Sequence, residues 1–298
     1  MARRTRVTWP LAKSLPPASR APDASAAPQD PFFNQFFRHC VGPGRDPTLT
    51  WGTEVDMTGA QAFIREASRR WNVPVTMPPL LVKATGAALR DHPRFLGRIV
   101  RRRPYAFKRI NIILAFQNAA RREADLQMVF NVDTEPLPDL IRRILRDAMR
   151  SARGEDLLAH DRRMLRWAGP FKGLLLRGGR FLSNNVNMPD VFGRMVRLQT
   201  AAAMVNYLNF AGAPPLRSFK AALPGVNSAA VHIALGPAEP CPTVEGGEVV
   251  VRPLAPLIVR TDHRIADAIE LGRFAAALRH YLADPWRIPN LEAAEETQ

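Results

Sequence analysis

The sequence predicts an α/β fold, and three observations carry the prediction. TLTWGTEV (Thr48 to Val55) alternates with period two and is followed at once by a period-3.6 segment. Strand-like and helix-like stretches then continue to alternate. Three more strand-like runs, SAAVHIALG, GEVVV and PLIVR, precede a last amphipathic helix.

Residues 1–30 are rich in Pro, Ala, Ser and Arg without an apolar period, which predicts a disordered basic tail. The aromatic cluster FFNQFF (Phe32 to Phe37) ends it and is expected to tuck into the body or a subunit interface. After the first strand, MTGAQAFIREASRR puts Ala60, Phe63, Ile64 and Ala67 on one face, with Thr58 as the expected cap. A second helix is expected over Pro79 to Arg90, with Leu80, Leu81, Ala84, Ala87 and Ala88 inward, closed by the Asp91-His92-Pro93 turn. RRRPYAFKR (Arg101 to Arg109) reads as a turn between strands. Strands follow around Ile112 to Phe116 and Leu126 to Val132. PLPDLIRRILRDAMRSA then gathers Leu137, Leu140, Ile141, Ile144, Leu145 and Ala148 on one face and arginines on the other.

The stretch 161–216 reads as an inserted segment. Its WAGPFKGLLLRGGRFL mixes basic and apolar residues broken by glycines and Pro170. Two readings stay open: a cover packed on its own domain, which the patterning favours, and a basic amphipathic segment in peripheral contact with a membrane. No internal repeat is evident. The expected division is one main domain over 31–287 and a flexible C-terminal tail over 288–298.

A net charge of +15 points to an anionic partner: nucleic acid, a lipid headgroup or a phosphorylated cofactor. The arginines are spread rather than striped and no groove-binding or strand-binding motif is present, so nucleic acid is not the expected partner. Cys40 and Cys241 lack metal-ligand or disulfide-framework spacing. With no apolar signal core and no run of eighteen apolar residues, a cytoplasmic protein is expected. His39, His160 and His280 have no companion at metal-ligand spacing, His92 belongs to a helix-ending turn, and His232 reads as a core histidine bonded to backbone. No metal site is expected.

The stretch TDHRIADA (Thr261 to Ala268) crowds Asp, His, Arg and Asp between an apolar strand and a helix. Charges there must be solvated, paired or used, because burying a lone charge is costly. An imidazole, whose ordinary pKa is roughly 6.5, is well placed to take and return a proton near neutral pH.

Taken in order, TEVDMTGAQAF, PPLLVKATGAALRDHPRFLGRIV, RINIILAF, VNSAAVHIALG and GEVVVRPLAPLIVRTDHRIADAIELGRFAAALRHYLADP resemble the catalytic domain of the 2-oxo acid dehydrogenase acyltransferases, which is similar to chloramphenicol acetyltransferase. The resemblance runs from about Thr48 to Pro285, and its strongest piece is the H-x-x-x-D of His263 and Asp267 in its strand-to-helix setting.

The resemblance implies a two-layer subunit with a mixed, mostly antiparallel sheet covered by helices. It also implies a trimer whose active sites lie between subunits, where a coenzyme A channel meets an acceptor channel. His263 would then be the general base. Asp267 would fix the loop, held by an arginine for which Arg38, Arg45 and Arg264 are candidates. The family's glycine after the aspartate is Ala268 here, which would tighten the loop. The serine or threonine that donates to the oxyanion corresponds to Leu208, leaving Asn206 and Asn209 either as substitute donors or as ordinary strand-end residues. A lipoyl domain and subunit-binding module are not recognisable.

The resemblance implies a coenzyme A thioester as cosubstrate, or a thioester on a carrier delivered by another protein, with no permanently bound cofactor and a hydroxyl, amine or thiol acceptor. The leucine-rich Met164 to Leu182 suggests a lipid-like acceptor. The alternatives are a dihydrolipoamide acyltransferase acting in trans and a catalytically silent trimeric scaffold.

Overall fold

The computed structural model describes residues 24–26, 48–101, 103–118, 123–153, 167–171, 173–174, 177–178, 181, 185–186, 201–209 and 229–292. Ten strands and four α-helices are named here in chain order: β1 Ala24–Ala26, β2 Thr48–Asp56, α1 Thr58–Trp71, α2 Met77–Asp91, β3 Gly97–Val100, β4 Arg103–Phe107, β5 Ile112–Asn118, β6 Glu123–Val129, α3 Leu137–Ala152, β7 Ala203–Tyr207, β8 Val231–Leu235, β9 Glu239–Glu245, β10 Glu248–Asp262 and α4 Ala268–Ala283.

The main sheet has the order β2-β10-β8-β7-β5-β6, with β9 also paired to β10. Only β7 runs parallel to its neighbours, β5 and β8; the other pairings are antiparallel. One face packs Ile112, Leu114, Val205, Val231, Ile233, Leu257 and Val259 against the helices in a single core. The fold is thus the expected mixed sheet covered by helices.

Helix α2 is the centre of that layer. Two prolines, Pro78 and Pro79, occupy its first turn, where a missing N–H costs nothing. Every residue from Pro79 to Leu89 is buried, not just one face, because the helix packs against α3, α4, β5 and β7 at once. Lys83, only 1% exposed, survives there because its Nζ donates to the carbonyls of Val132 (3.1 Å) and Glu135 (2.6 Å).

β10 is one strand of fifteen residues where the sequence suggested two. Its first half pairs with β9 and its second with β8 along the same edge. Leu254 faces Glu239 while Leu257 faces Leu235, so the β8–β9 side holds one residue more and the ladder carries a bulge. Pro256 falls in that gap, where its carbonyl accepts from Gly236 N–H (2.9 Å) and no residue on the β8–β9 side stands in register to need the N–H it lacks. Gly246 and Gly247, both at positive φ, close the β9–β10 hairpin with a two-residue turn.

Several expectations are corrected. Ala24–Ala26, inside the segment read as a disordered tail, pairs with β4 in a separate three-stranded sheet, since backbone pairing needs no apolar side chains. The stretch 161–216 is not wholly an insert: β7 lies within it and occupies the middle of the main sheet, with Ala201, Ala202 and Ala203 fully buried. Arg103 to Phe107, read as part of a turn, is β4, and Arg101, at φ 47°, follows the end of β3. Thr58 does not cap α1; its N–H and hydroxyl both donate to Asp56 Oδ1 (2.8 and 2.6 Å). Leu145 of α3 is exposed, not inward. Ordered packing continues past 287: Ile288 and Leu291 are buried, and Glu292 accepts from Arg70 and Trp71. FFNQFF lies outside the described residues.

Candidate active site

The second half of β10, buried from Leu257 to Thr261, delivers the chain into a tight turn. Asp262 N–H donates to Ala230 O (3.3 Å), and Thr261 Oγ1 donates to the same carbonyl (3.0 Å), fastening the strand end to the entry of β8. Ile265 N–H returns to Asp262 O (2.8 Å), closing a turn over His263 and Arg264. Asp262 also holds the turn by its side chain, accepting from Arg264 N–H (2.9 Å) and from the Arg264 guanidinium (2.9 and 2.5 Å). Burial opposes the charge on Arg264, but this pairing more than compensates and raises its pKa. His263 is half-buried at the crest of the turn.

Asp267 is the N-cap of α4. Its Oδ1 accepts from Glu270 N–H (2.9 Å), and the Glu270 carboxylate reaches back toward Asp267 N–H, a reciprocal capping box. The arginine expected beside Asp267 engages other groups: Arg264 is committed to Asp262, while Arg94 pairs with Glu270 and donates from Nε to Ile265 O (3.2 Å). Arg38 and Arg45 lie outside the described residues. Ala268 does not tighten the loop; it is the exposed first residue of α4, a position that suits alanine. Sequence reading missed Arg94 and Glu270, although D-x-x-E at 267–270 is itself a helix-start signal.

The two asparagines stand apart from His263. Asn206 pairs with Ala234 and Ala234 with Ile258, so Asn206 is level with a residue five positions before His263, roughly 16 Å along the strands at 3.3 Å per residue. It is half-buried on the sheet face away from the helices. Asn209 is exposed and donates to Tyr207 Oη (3.3 Å), whose pKa is raised by burial against that bond. Leu208 is buried and offers no donor side chain. Within one subunit the structure therefore unites His263, Asp267, Asp262, Arg264, Arg94 and Glu270, and leaves Asn206 and Asn209 at the other end of β7.

The other described histidines are His92, His232 and His280. His92 caps α2 with its ring edge-on to Phe274, His280 is exposed, and His232 is half-buried on the far sheet face instead of the core. His39 and His160 are outside the described residues. Among the described residues no group of His, Cys, Asp or Glu could hold a metal ion.

Residues 216–289, which contain β8, β9, β10, the His263 turn and α4, match the family model of the 2-oxoacid dehydrogenases acyltransferase (catalytic domain). No curated protein matches the sequence. Among solved structures, the chain is similar to a probable dihydrolipoamide acetyltransferase from Listeria monocytogenes, at 17% identity and TM-score 0.58, covering 84% of this chain and 88% of that one. It is also similar to the dihydrolipoamide acetyltransferase of Azotobacter vinelandii, studied for the catalytic roles of a serine, a histidine and an asparagine, at 18% identity and TM-score 0.60 over 86% and 87%. A chloramphenicol acetyltransferase matches at 14% identity and TM-score 0.50 over 84% and 93%. The chain has the fold of these acetyltransferases, and across residues 216–289 it carries the signature of the 2-oxoacid dehydrogenase acyltransferase catalytic-domain family.

Proposed function

We propose that the protein moves an acyl group from a coenzyme A thioester to a hydroxyl, amine or thiol acceptor, with His263 as general base. The observation that carries this reading is the place of His263: half-buried at the crest of a cross-braced turn, within the matched stretch. Its imidazole takes the acceptor proton as the acceptor oxygen, nitrogen or sulfur attacks the thioester carbonyl. The tetrahedral oxyanion then collapses, the carbon–sulfur bond breaks, and the departing thiolate recovers the proton from the imidazolium.

The separation of His263 from Asn206 and Asn209 bears on where the oxyanion is held. An amide roughly 16 Å away along the strands cannot serve the same subunit's histidine. In a trimer with sites between subunits, it serves a neighbour's. Buried Leu208 supplies nothing in either arrangement.

Exposed Arg101, Arg103, Lys108 and Arg109 suit the phosphates of coenzyme A. Arg98, part of the same basic stretch, is buried, and Arg142 and Arg143 are engaged by Asp139 and Glu135. The described part of the leucine-rich 164–182 faces solvent, so it lends no lining to an acceptor pocket.

The test is a series of acyl-coenzyme A thioesters, short to long, followed by free-thiol release with pooled hydroxyl, amine and thiol acceptors, dihydrolipoamide among them. Turnover that falls by about a hundredfold in His263→Ala, with an unchanged melting temperature, supports the reading. No turnover with any thioester and no difference in His263→Ala would leave the scaffold alternative standing. Light scattering adds the assembly test, and a monomer at micromolar concentration speaks against a site shared between subunits.

A further inference from the structure

We propose that the exposed surface carried by Trp167, Phe171, Leu174, Arg177 and Phe181 binds an anionic lipid bilayer. This is independent of the acyl-transfer reading. Trp167 is 90% exposed, Phe171 and Leu174 each 70%, and Phe181 60%, so the described part of the segment is not the packed cover that its patterning favoured. The glycines agree: a Cβ built on Gly169, Gly173 or Gly178 meets nothing within 4 Å.

The sequence explains what such a surface is suited to. From Arg162 to Pro189 there are six cations, Arg162, Arg163, Arg166, Lys172, Arg177 and Arg180, and no acid. At helical spacing Phe171, Leu174, Gly178 and Phe181 recur on one side of the pattern, and exposed Arg177 flanks it. A ring-rich apolar side flanked by cations is the composition that lies in the headgroup layer of an anionic membrane, with rings and aliphatic groups in the acyl boundary and cations on the lipid phosphates. Among the described residues no helix is long and apolar enough to cross a membrane, so contact at the surface is the mode in question.

Two other partners fit less well. A two-fold contact with a second copy would bring two such cationic segments face to face. Single-stranded nucleic acid uses aromatic faces for stacking, and Leu174 and Val186, both exposed, offer it none.

The full chain is sedimented with vesicles of phosphatidylcholine alone and of phosphatidylcholine mixed with phosphatidylglycerol. The expected result is binding to the anionic vesicles at least about tenfold tighter than to the neutral ones. Phe171→Ser with Phe181→Ser, and separately Arg177→Glu with Arg180→Glu, should each weaken it by about tenfold or more. Circular dichroism and sedimentation should show both variants folded, with an unchanged subunit number. Equal binding to both vesicle types, or none, overturns the proposal. So does a serine variant that binds like the parent, since cations alone then account for adsorption. A change of subunit number in the variants identifies a face between copies instead. Binding of a single-stranded oligonucleotide that the variants weaken, without vesicle binding, identifies nucleic acid instead.

Discussion

Arg94, in the short 3-10 turn after α2, pairs with Glu270 in the first turn of α4 while its Nε holds the carbonyl of Ile265. One guanidinium thus ties the end of the turn that presents His263 to the first turn of α4. Arg94→Gln should lower kcat by about tenfold through misplacement of the imidazole, with KM for the acyl donor little changed. Arg94→Lys keeps an ion pair but loses the second donor, and should fall between. A rate unchanged in both variants would show that α4 alone holds the turn.

The capping box makes a distinction between two changes at Asp267. Asparagine caps nearly as well as aspartate, so Asp267→Asn should leave the melting temperature close to the parent's. Asp267→Ala should cost about 1 kcal/mol, a drop of about 2 °C in a chain of this size. Equal melting temperatures for the alanine and asparagine variants would remove the cap from the account.

Gly59, at the start of α1, lies against the end of α4. A Cβ there would sit 1.9 Å from the carbonyl oxygen of Ala283, a backbone atom that cannot step aside. Gly59→Ala should destabilise by about 2 kcal/mol or more. Gly173→Ala, at a position with open space, is the control and should be close to neutral. Matching denaturation curves for the two would contradict the packing of α1 on α4.

Burial pushes the Lys83 ammonium down from 10.5 to about 8, with Arg90 acting in the same direction and Asp133 and Glu135 against it. Between those values the unfolded chain binds the proton and the folded chain does not, so this group makes stability rise with pH from about 8 to 10.5. Lys83→Met has no such titration. Between pH 7 and 9.5 the parent should gain on the variant by about 2 kcal/mol, at 1.36 kcal/mol per unit. Parallel stability curves through that window would show that the lysine keeps its ordinary pKa.

Local periodicity made β2, α1, α2 and α3 legible, because each carries its apolar pattern within its own residues. The His263 turn was legible as well, since a charged cluster between an apolar strand and a helix is visible without coordinates. β7 was not: AMVNY is short, and nothing local marks it as the middle of a sheet whose order depends on β5 and β8. Pro253 and Pro256 hid the continuity of β10, because the bulge that accommodates Pro256 comes from the partner edge. Arg94 was out of reach because its partner, Glu270, is distant in sequence. The distance between Asn206 and His263 is likewise a matter of register, which composition does not encode.

The pairing of β2 with β10 has a consequence for how the chain is made. β10 is the only neighbour of β2 in the described sheet; β2 ends at Asp56 and β10 begins at Glu248. At roughly 5 to 20 residues per second, a ribosome would leave β2 without its partner for about 10 to 40 s. Through that interval the nascent chain carries an unmatched strand, a hazard for aggregation that chaperones must cover. The strand that ends the wait is also the one that leads into His263, so the His263 turn and the closure of the sheet are completed together, late in synthesis.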